Sequence, residues 1–599
     1  MRRLITMALL AGTAASGLSA QLPSPAAPAA NVATSRQDAA FAALAKAYLA
    51  EQARLHPGYA TYLGNHAYDA EVEDLSAAGR ARDAAFVART LAALERIDRS
   101  RLSRDNQVDA ALLLNDLQYR QWQANALQEW TWNPMDANEA ISGGLYLLAA
   151  RDFATWADRL RSATARMEKA PAMFAQMRAN LVPARVPAIY AQTVAKQNGG
   201  ILDIVDTMLA PHKGELNPAE ARRFDAAATR LRAAVAEQQH WLDTVLVPQA
   251  KGDFRLGAEK YDRKLAFALV TDRTRARIKS DAQAAFDGTR AEMYAVAREA
   301  LAGRTGAPAT PANPTPAQMQ AAIEAALELS YAHRPARDGV MAKATDTLRQ
   351  ATAFVRARNL VSVPDSPVQI IEMPKFRQGV AVAYCDSPGP LEQQLGTFYA
   401  ISPIPADWSD ARATSFLREY NDYMLHELSI HEAMPGHYLQ IAHANANPST
   451  LRAVLASGSF VEGWAVYAER LMAEAGYLDN DPLFRLTVLK MRLRSITNTL
   501  LDIGIHTEGM TEAQAMTLMT RGAFQQEREA AGKWVRAQLS STQLLSYFVG
   551  YSEHVALREA ARARDGSAFD LKRYNDAVLS HGSPPARYVR ALMFDQPIR

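Results

Sequence analysis

The sequence HELSIHEAMPGH, residues 426–437, holds three histidines and two His-Glu pairs, and it decides how the second half of the chain is interpreted. In the helical zinc motif His-Glu-x-x-His, the histidines are four residues apart, about 400° of turn, so both imidazoles share one helix face. Here His426 and His431 are five residues apart and His431 and His437 are six apart, about 500° and 600° of turn. Neither pair can therefore face one metal ion from a straight helix.

The second pair differs from the first because Pro435 and Gly436 lie inside it. Pro435 has no N–H to donate to the carbonyl of His431, and its ring clashes with that turn of helix. Gly436 relaxes the backbone restriction beside it. We therefore predict that the helix distorts between Ala433 and His437 and brings both imidazoles onto one divalent ion. The alternative is that Pro-Gly only ends the helix and that the histidines are incidental.

A catalytic zinc site needs a third protein ligand and an open fourth position. Glu462, 25 residues after His437, is the candidate ligand. Glu469 lies two turns further along the same helix face, where it could orient a ligand histidine through a hydrogen bond. Two alternatives stay open, because Ser459 and Glu462 also match a capping box and Glu469 could simply face solvent. Glu432 is the candidate general base that takes a proton from the water that zinc activates.

Two other histidines of this region, His426 and His443, are not expected to be ligands. Five of the 12 histidines lie between His426 and His506, which favours a metal site because imidazole is the commonest ligand. We expect His426 beside the ligands or in the core, and His443 on the surface. The pair His426 and His431 also resembles the His-Glu-x-x-x-His motif of dipeptidyl peptidase III, and a site on that pair remains an alternative.

Composition and the N-terminus predict an exported globular protein. Of 599 residues, 49% are hydrophobic and 22% charged, as in ordinary globular chains, and a net charge of +3 argues against nucleic-acid binding. Residues 1–20 read as a signal peptide, with two arginines before an apolar run, which indicates a periplasmic or secreted protein without a transmembrane segment in the mature chain. A first core helix is the alternative. The single cysteine, Cys385, excludes an internal disulfide and is expected to be a buried structural thiol rather than a nucleophile.

The hydrophobic pattern predicts a mainly α fold with a small β-sheet before the metal-binding helix. A Pro/Ala-rich tether (21–34) precedes one domain (35–599), whose helical part (35–360) shows helical periodicity and whose second part (361–599) holds the sheet and the catalytic helices. VQIIEM (368–373), VAVAY (380–384) and GTFYAI (396–401) have strand composition. We expect GTFYAI to be the edge strand that a peptide substrate joins, with an ordinary structural strand as the alternative.

Two adjoining motifs resemble a known family. HEAMPGHYLQ (431–440) followed by VEGWAVYAERL (461–471) is similar to the bacterial family called domain of unknown function 885. Blocks in the same order extend the resemblance over nearly the whole mature chain: HPGYATYLGNHAYDAEVEDLS (56–76), GDFRLGAEKYDRKL (252–265), LLDIGIHTEGMTEAQA (500–515) and QLLSYFVGYSEHVALREAA (543–561). That family is regarded as zincin-like, related in plan to helical peptidases such as the angiotensin-converting enzyme and thimet oligopeptidase groups. The resemblance thus implies a large helical, zincin-like peptidase fold.

The resemblance also implies roles for residues. The motif makes His431 and His437 the metal histidines, Glu432 the base and Glu462 the carboxylate ligand. By analogy with the helical zinc peptidases, a downstream histidine and tyrosine stabilise the oxyanion. The candidates are His506 and Tyr547, and the weaker substitutes are Tyr551 and His554. Without this analogy, the alternative is that the tyrosines are core or surface aromatics and that His506 is a lone histidine.

Two further positions concern the surroundings of the ligands. Arg494 fits a family arginine and is expected just outside the ligands. Asn498 stands where a second arginine is expected, so the sequence departs from the family pattern there.

These observations lead to three functional hypotheses. The first is an exported zinc (Zn²⁺) metallopeptidase that cleaves peptide substrates with a metal-activated water and a glutamate base. The second is a zinc hydrolase of a non-peptide amide or ester, since the same chemistry serves both. The third is a non-catalytic exported metal-binding protein. A neighbouring divalent ion could replace zinc in each.

Overall fold

The computed structural model of the protein describes residues 35–366, 368–373, 383–392, 395–405 and 407–598. The predicted signal peptide and tether, and the first three residues of VAVAY, lie outside the described residues.

Helices make up the chain from residue 36 to residue 358. Many begin at a polar residue, such as Ser35, Ser103 or Thr155, whose side chain accepts a hydrogen bond from a backbone N–H of the first turn. In chain order they are α1 (Arg36–Leu55), α2 (Pro57–Tyr62), α3 (Ala77–Glu95), α4 (Arg104–Trp122), α5 (Met135–Ala150), α6 (Trp156–Asn180), α7 (Ala188–Gln197), α8 (Gly200–Ile204), α9 (Pro218–Trp241), α10 (Val247–Gln249), α11 (Gly257–Leu269), α12 (Arg275–Leu301), α13 (Pro316–Ala332) and α14 (Val340–Arg358).

A small sheet follows, with strands β1 (Val368–Glu372), β2 (Ala383–Asp386) and β3 (Thr397–Ile401). Their order is β1-β3-β2, with β1 parallel and β2 antiparallel to β3. The strand within GTFYAI therefore lies between two partners, and the expectation that it forms an edge is wrong. Its side chains Tyr399, Ala400 and Ile401 are buried, which explains the strand-like composition of a central strand.

Helices resume after the sheet. They are α15 (Asp410–Glu419), α16 (Asp422–Glu432), α17 (His437–Asn445), α18 (Thr450–Val454), α19 (Gly458–Glu474), α20 (Pro482–Thr507), α21 (Glu512–Thr517), α22 (Glu527–Gln538), α23 (Leu545–Asp565), α24 (Leu571–Ser580) and α25 (Ala586–Met593). The predicted class, mainly α with a small sheet before the histidine-bearing helix, is confirmed. No helix of the described chain is long and apolar enough to cross a membrane.

The helices that carry the histidine-rich segment are held by a buried core. Helix α16 packs on α14, α19 and α20, and α19 packs along α23. The α19–α23 contact is close because two glycines meet there: a Cβ on Gly463 would lie 2.3 Å from the carbonyl carbon of Gly550. Trp464 and Tyr467 fill the adjoining space and are almost fully buried. This packing fixes α19 against α16 and so fixes Glu462 relative to the histidines.

The parts before and after the sheet share one apolar layer. Helix α12 lies along α20. Met293 and Leu327 from the first part pack in one buried cluster with Leu486 and Leu493 of α20. This apolar layer is therefore built from residues of both parts of the chain.

Candidate metal centre

The helix bearing His431 is interrupted where the sequence predicts. Helix α16 ends at Glu432, and Ala433 already departs from helical geometry, with φ −132° and ψ −70°. The Met434–Pro435 peptide bond is cis. A new helix, α17, then begins at His437. The predicted distortion between Ala433 and His437 is confirmed.

Gly436 allows the two helix ends to meet. A Cβ at this position would lie 2.0 Å from the carbonyl oxygen of His431 and 2.2 Å from that of Ile430, so only glycine fits without displacement. The indole Nε1–H of Trp464 donates to the Pro435 carbonyl at 2.8 Å and ties the junction to α19. The irregular segment is therefore a packed feature of the core.

The junction brings His431, His437 and Glu462 together. Glu462 Oε2 lies 3.8 Å from His431 Nε2 and 3.5 Å from His437 Nε2. Both distances exceed those of good hydrogen bonds, about 2.7–3.2 Å. Ligand atoms bound tetrahedrally to one zinc at about 2.0–2.1 Å would stand roughly 3.4 Å apart. The donor atoms lie within 4.8 Å of one another, a spacing suited to one divalent ion.

The electrostatics of these three groups favour a cation between them. Glu462 Oε2 is buried and has no hydrogen-bond partner in the described chain. Burial raises the pKa of Glu462, but His431 and His437 lower it more, and it falls below its usual range. Burial lowers the pKa of His431, whereas Glu462 and Glu469 raise it, and it ends well above its usual value. A metal ion would supply the positive charge that the cluster attracts.

Glu469 orients His431. Its Oε1 lies 2.6 Å from His431 Nδ1, and its side chain is 2% exposed. A proton on Nδ1 shared with this carboxylate leaves the Nε2 lone pair directed at Glu462 and the ion position. Helix α19 begins at Gly458 with Ser457 as its N-cap, so Ser459 and Glu462 do not form the alternative capping box.

Glu427 is a buried carboxyl behind this pair that the sequence reasoning missed. It lies one helical turn before His431 and is fully buried. Burial and the negative charge of Glu469 raise its pKa well above the usual range. Glu427, His431 and Glu469 are also close enough to hold an ion. The short His431–Glu469 hydrogen bond already uses that nitrogen, however, and neither carboxyl oxygen of Glu427 has a hydrogen-bond partner in the described chain. A carboxylic acid four residues before a ligand histidine lies on the same helix face, and this spacing could have identified Glu427 from the sequence.

Glu432 is fixed between the sheet and the cluster. Its Oε2 accepts the backbone N–H of Cys385, in β2, at 3.0 Å. Burial raises the pKa of Glu432, the two histidines lower it and Glu462 raises it, with a net rise. A carboxylate with a raised pKa beside the ion position has the properties of a general base.

The two predicted oxyanion donors, Tyr547 and His506, lie in different surroundings. Burial and the negative charge of Glu462 raise the pKa of Tyr547, so this side chain lies within electrostatic reach of Glu462. The imidazole of His506 is buried elsewhere: its Nε2 donates to the carbonyls of Ala537 and Ser540 at 3.1 and 2.7 Å. Its ring lines a separate polar cavity of about 270 Å³. Tyr547 is thus within electrostatic reach of Glu462, whereas the hydrogen bonds of His506 are made to carbonyls away from the three candidate ligands.

The weaker substitutes lie in the packing around α23. The Tyr551 hydroxyl accepts from Arg470 Nη1 at 3.0 Å, and His554 Nε2 donates to the Phe460 carbonyl at 3.0 Å. Burial lowers the pKa of His554 to about 4, which fits a neutral core histidine.

The other predicted residues have structural contacts. His426 Nδ1 bonds to the hydroxyl of Tyr477 at 2.9 Å, and burial lowers the His426 pKa to about 4, as expected of a core histidine. His443 was expected on the surface, but it is half-buried because its Nε2 donates to the Ser362 carbonyl at 2.7 Å. Burial raises the pKa of Cys385 to about 12, which fits a structural thiol.

Arg494 belongs to a charged group between α20 and α22. It forms an ion pair with Glu529 of α22, whose other oxygen accepts the Tyr420 hydroxyl at 3.3 Å. Asn498, one turn along α20, is buried. Lys533, one turn along α22 from Glu529, is also buried. Sequence reasoning missed Lys533 because the helix carries charges on several faces.

Comparisons with known proteins give the chain's relatives. The model of the family described as "Bacterial protein of unknown function (DUF885)" matches residues 57–593. A solved structure described as "a putative lipoprotein of unknown function from Shewanella oneidensis" is 33% identical, covers 92% of this chain and 99% of its own, and has a TM-score of 0.79. No match is found among curated proteins.

A second solved structure extends the likeness of fold. It is described as "the putative lipoprotein from Colwellia psychrerythraea", is 17% identical, covers 94% of this chain and 99% of its own, and has a TM-score of 0.75. At that identity the similarity speaks for the fold alone.

Proposed function

The chain belongs to the DUF885 family of bacterial proteins of unknown function, and we propose that it is an exported zinc-dependent peptidase. The observation that carries the proposal is the spacing of His431 Nε2, His437 Nε2 and Glu462 Oε2, within 4.8 Å of one another. Two histidines and a glutamate, with an adjacent glutamate free of the ligand set, are a donor set used by zinc peptidases.

The proposed chemistry assigns distinct tasks to the chain's own residues. A zinc ion held by His431, His437 and Glu462 would supply Lewis acidity that polarises a peptide carbonyl and acidifies water. Glu432 takes the proton of the attacking water and returns it to the leaving amine. The Tyr547 hydroxyl donates to the oxygen on which negative charge develops.

The position of β2 supports a peptide as the substrate. Neighbouring residues of an antiparallel strand alternate in the direction of their backbone N–H and C=O groups. The N–H of Cys385 is bonded to Glu432, so Cys385 directs its backbone groups away from β3. An extended peptide lying along this side of β2 would pass beside Glu432, where main-chain hydrogen bonds could hold it.

The N-terminal segment, which has the pattern of a signal peptide, supports export. Arg2 and Arg3 precede an apolar run and small residues, the pattern of a signal peptide. The two similar solved structures are described as putative lipoproteins, names that are compatible with export of those proteins.

Replacing Glu432 with Gln tests the activity. The variant keeps the three proposed ligands, so we expect it to retain zinc while peptide turnover falls about 10²–10⁴-fold. Zinc content and cleavage of a mixed peptide library are measured on the full chain. The matched control is Glu512→Gln, an exposed site on α21.

Two results would contradict the proposal. Unchanged turnover in Glu432→Gln would remove the assigned base. Hydrolysis of acyl amides or esters by the wild type, without cleavage of any peptide, would assign the non-peptide hydrolase instead.

A further inference from the structure

The face of α22 beside the cluster carries more positive than negative charge. Glu529, Lys533 and Arg536 are spaced i, i+4 and i+7, so they form one stripe along the helix. Arg494 of α20 pairs with Glu529 and uses the stripe's one carboxylate. Two cations, Lys533 and Arg536, remain without an ion-pair partner among the described residues.

Lys533 is the unusual member of the stripe. Its residue is 7% exposed, and within the described chain its ammonium has neither a hydrogen-bond nor an ion-pair partner. The Nζ atom keeps some contact with solvent although most of the side chain is buried, and the like charge of Arg536 one turn away is unfavourable. Burial and the charge of Arg494 lower the pKa of Lys533 well below its usual range. Among the described residues, no anion is therefore paired with the Lys533 ammonium.

The stripe is directed at the proposed active site. Arg536 Nη2 donates to the Tyr547 hydroxyl at 3.3 Å and to Gln543 Oε1 at 3.1 Å. Glu462 acts electrostatically on both Tyr547 and Lys533. Tyr547 therefore contacts one of the two cations, Arg536, and lies within electrostatic reach of the ligand carboxylate. An anion held by Lys533 and Arg536 would lie near Tyr547, the proposed oxyanion donor.

We propose, on the basis of the peptidase function above, that Lys533 and Arg536 bind the free C-terminal carboxylate of the substrate. A carboxylate is the anion that every peptide carries at one end, and it would accept charge-assisted hydrogen bonds from both side chains. Binding it here places a peptide bond close to the C-terminus over Glu432. The protein is then a peptidase that acts from the carboxyl end of its substrates, and an acidic side chain is the competing source of the same chemistry.

Binding of matched peptides to the zinc-supplemented full chain tests this assignment. The Glu432→Gln background prevents turnover. The probes are an acetylated alanine hexapeptide with a free C-terminus, its C-terminal amide, and the amide with glutamate at the penultimate position. We expect the free acid to bind about 10- to 100-fold more tightly than either amide, because it forms hydrogen bonds to charged groups.

Two variants remove the proposed contacts. In Lys533→Met and in the exposed Arg536→Gln, we expect affinity for the free acid to fall towards that of the amide, with the affinity for the amide unchanged. The control is Lys196→Met, an exposed lysine on α7, which should change nothing.

Three outcomes overturn the inference: equal affinity for acid and amide, a preference that survives both variants, or equally tight binding of the glutamate-bearing amide. Failure of the wild type to cleave any peptide would overturn the peptidase function but would leave the binding result standing. The two proposals therefore fail separately.

Discussion

At the scale of the residue, the two candidate ligand histidines are held differently. His431 has a buried carboxylate, Glu469, on its Nδ1 at 2.6 Å. Nδ1 of His437 is buried without a hydrogen-bond partner in the described chain. Only His431 therefore has its tautomer and ring direction fixed by a neighbouring side chain.

Replacement of Glu469 with Gln should weaken zinc binding about 10- to 100-fold, as loss of such supporting carboxylates does at metal sites. The substitution keeps the size and an acceptor oxygen but removes the charge beside His431. Zinc affinity is measured by competition with a chelating dye, with Glu512→Gln as the exposed control. An unchanged affinity in Glu469→Gln would show that the hydrogen bond does not support the ligand.

Side-chain chemistry and spacing were enough to select His431, His437, Glu462 and Glu469, and the structure brings these four together. They were not enough for His506, because its direction depends on carbonyls at the end of α22, 31 and 34 residues away. Such contacts leave no local pattern in the sequence.

At the scale of the element, the junction between α16 and α17 decides whether the histidines meet. The His431 carbonyl occupies the space where a side chain at position 436 would lie. The spacing of six residues works because the helix stops and restarts, which a continuous helix could not do.

Gly436→Ala should therefore disturb the site. The added Cβ forces the helix ends apart, at a cost of about 1–3 kcal/mol in stability, zinc affinity or both. Gly458→Ala is the matched control, since a Cβ there meets no atom within 4 Å. Thermal unfolding and zinc titration measure the two effects. Equal behaviour of both variants would contradict the role given to Gly436.

The sheet shows the limit of prediction at this scale. β-branched and aromatic runs revealed where strands lie, and the Pro-Gly pair revealed where the helix distorts. The order of the strands depends on pairing across the sheet, which places β3 between β1 and β2 and leaves β2 beside Glu432. Composition alone could not separate a central from an edge strand.

At the scale of the whole molecule, the site depends on both parts of the chain. Helix α20 packs against both α16 and α12. The family match, residues 57–593, likewise spans both parts. The single domain over residues 35–599 and the helical zincin-like plan both stay predictions.

The most direct test of the central claim is the zinc content of the full chain. We predict one zinc per chain in the wild type, and little or none in His437→Ala and Glu462→Gln, because each removes one of three proposed ligands. His333→Ala, at an exposed histidine, should retain the metal. A wild-type chain without stoichiometric zinc, or full zinc content in both ligand variants, would contradict the account.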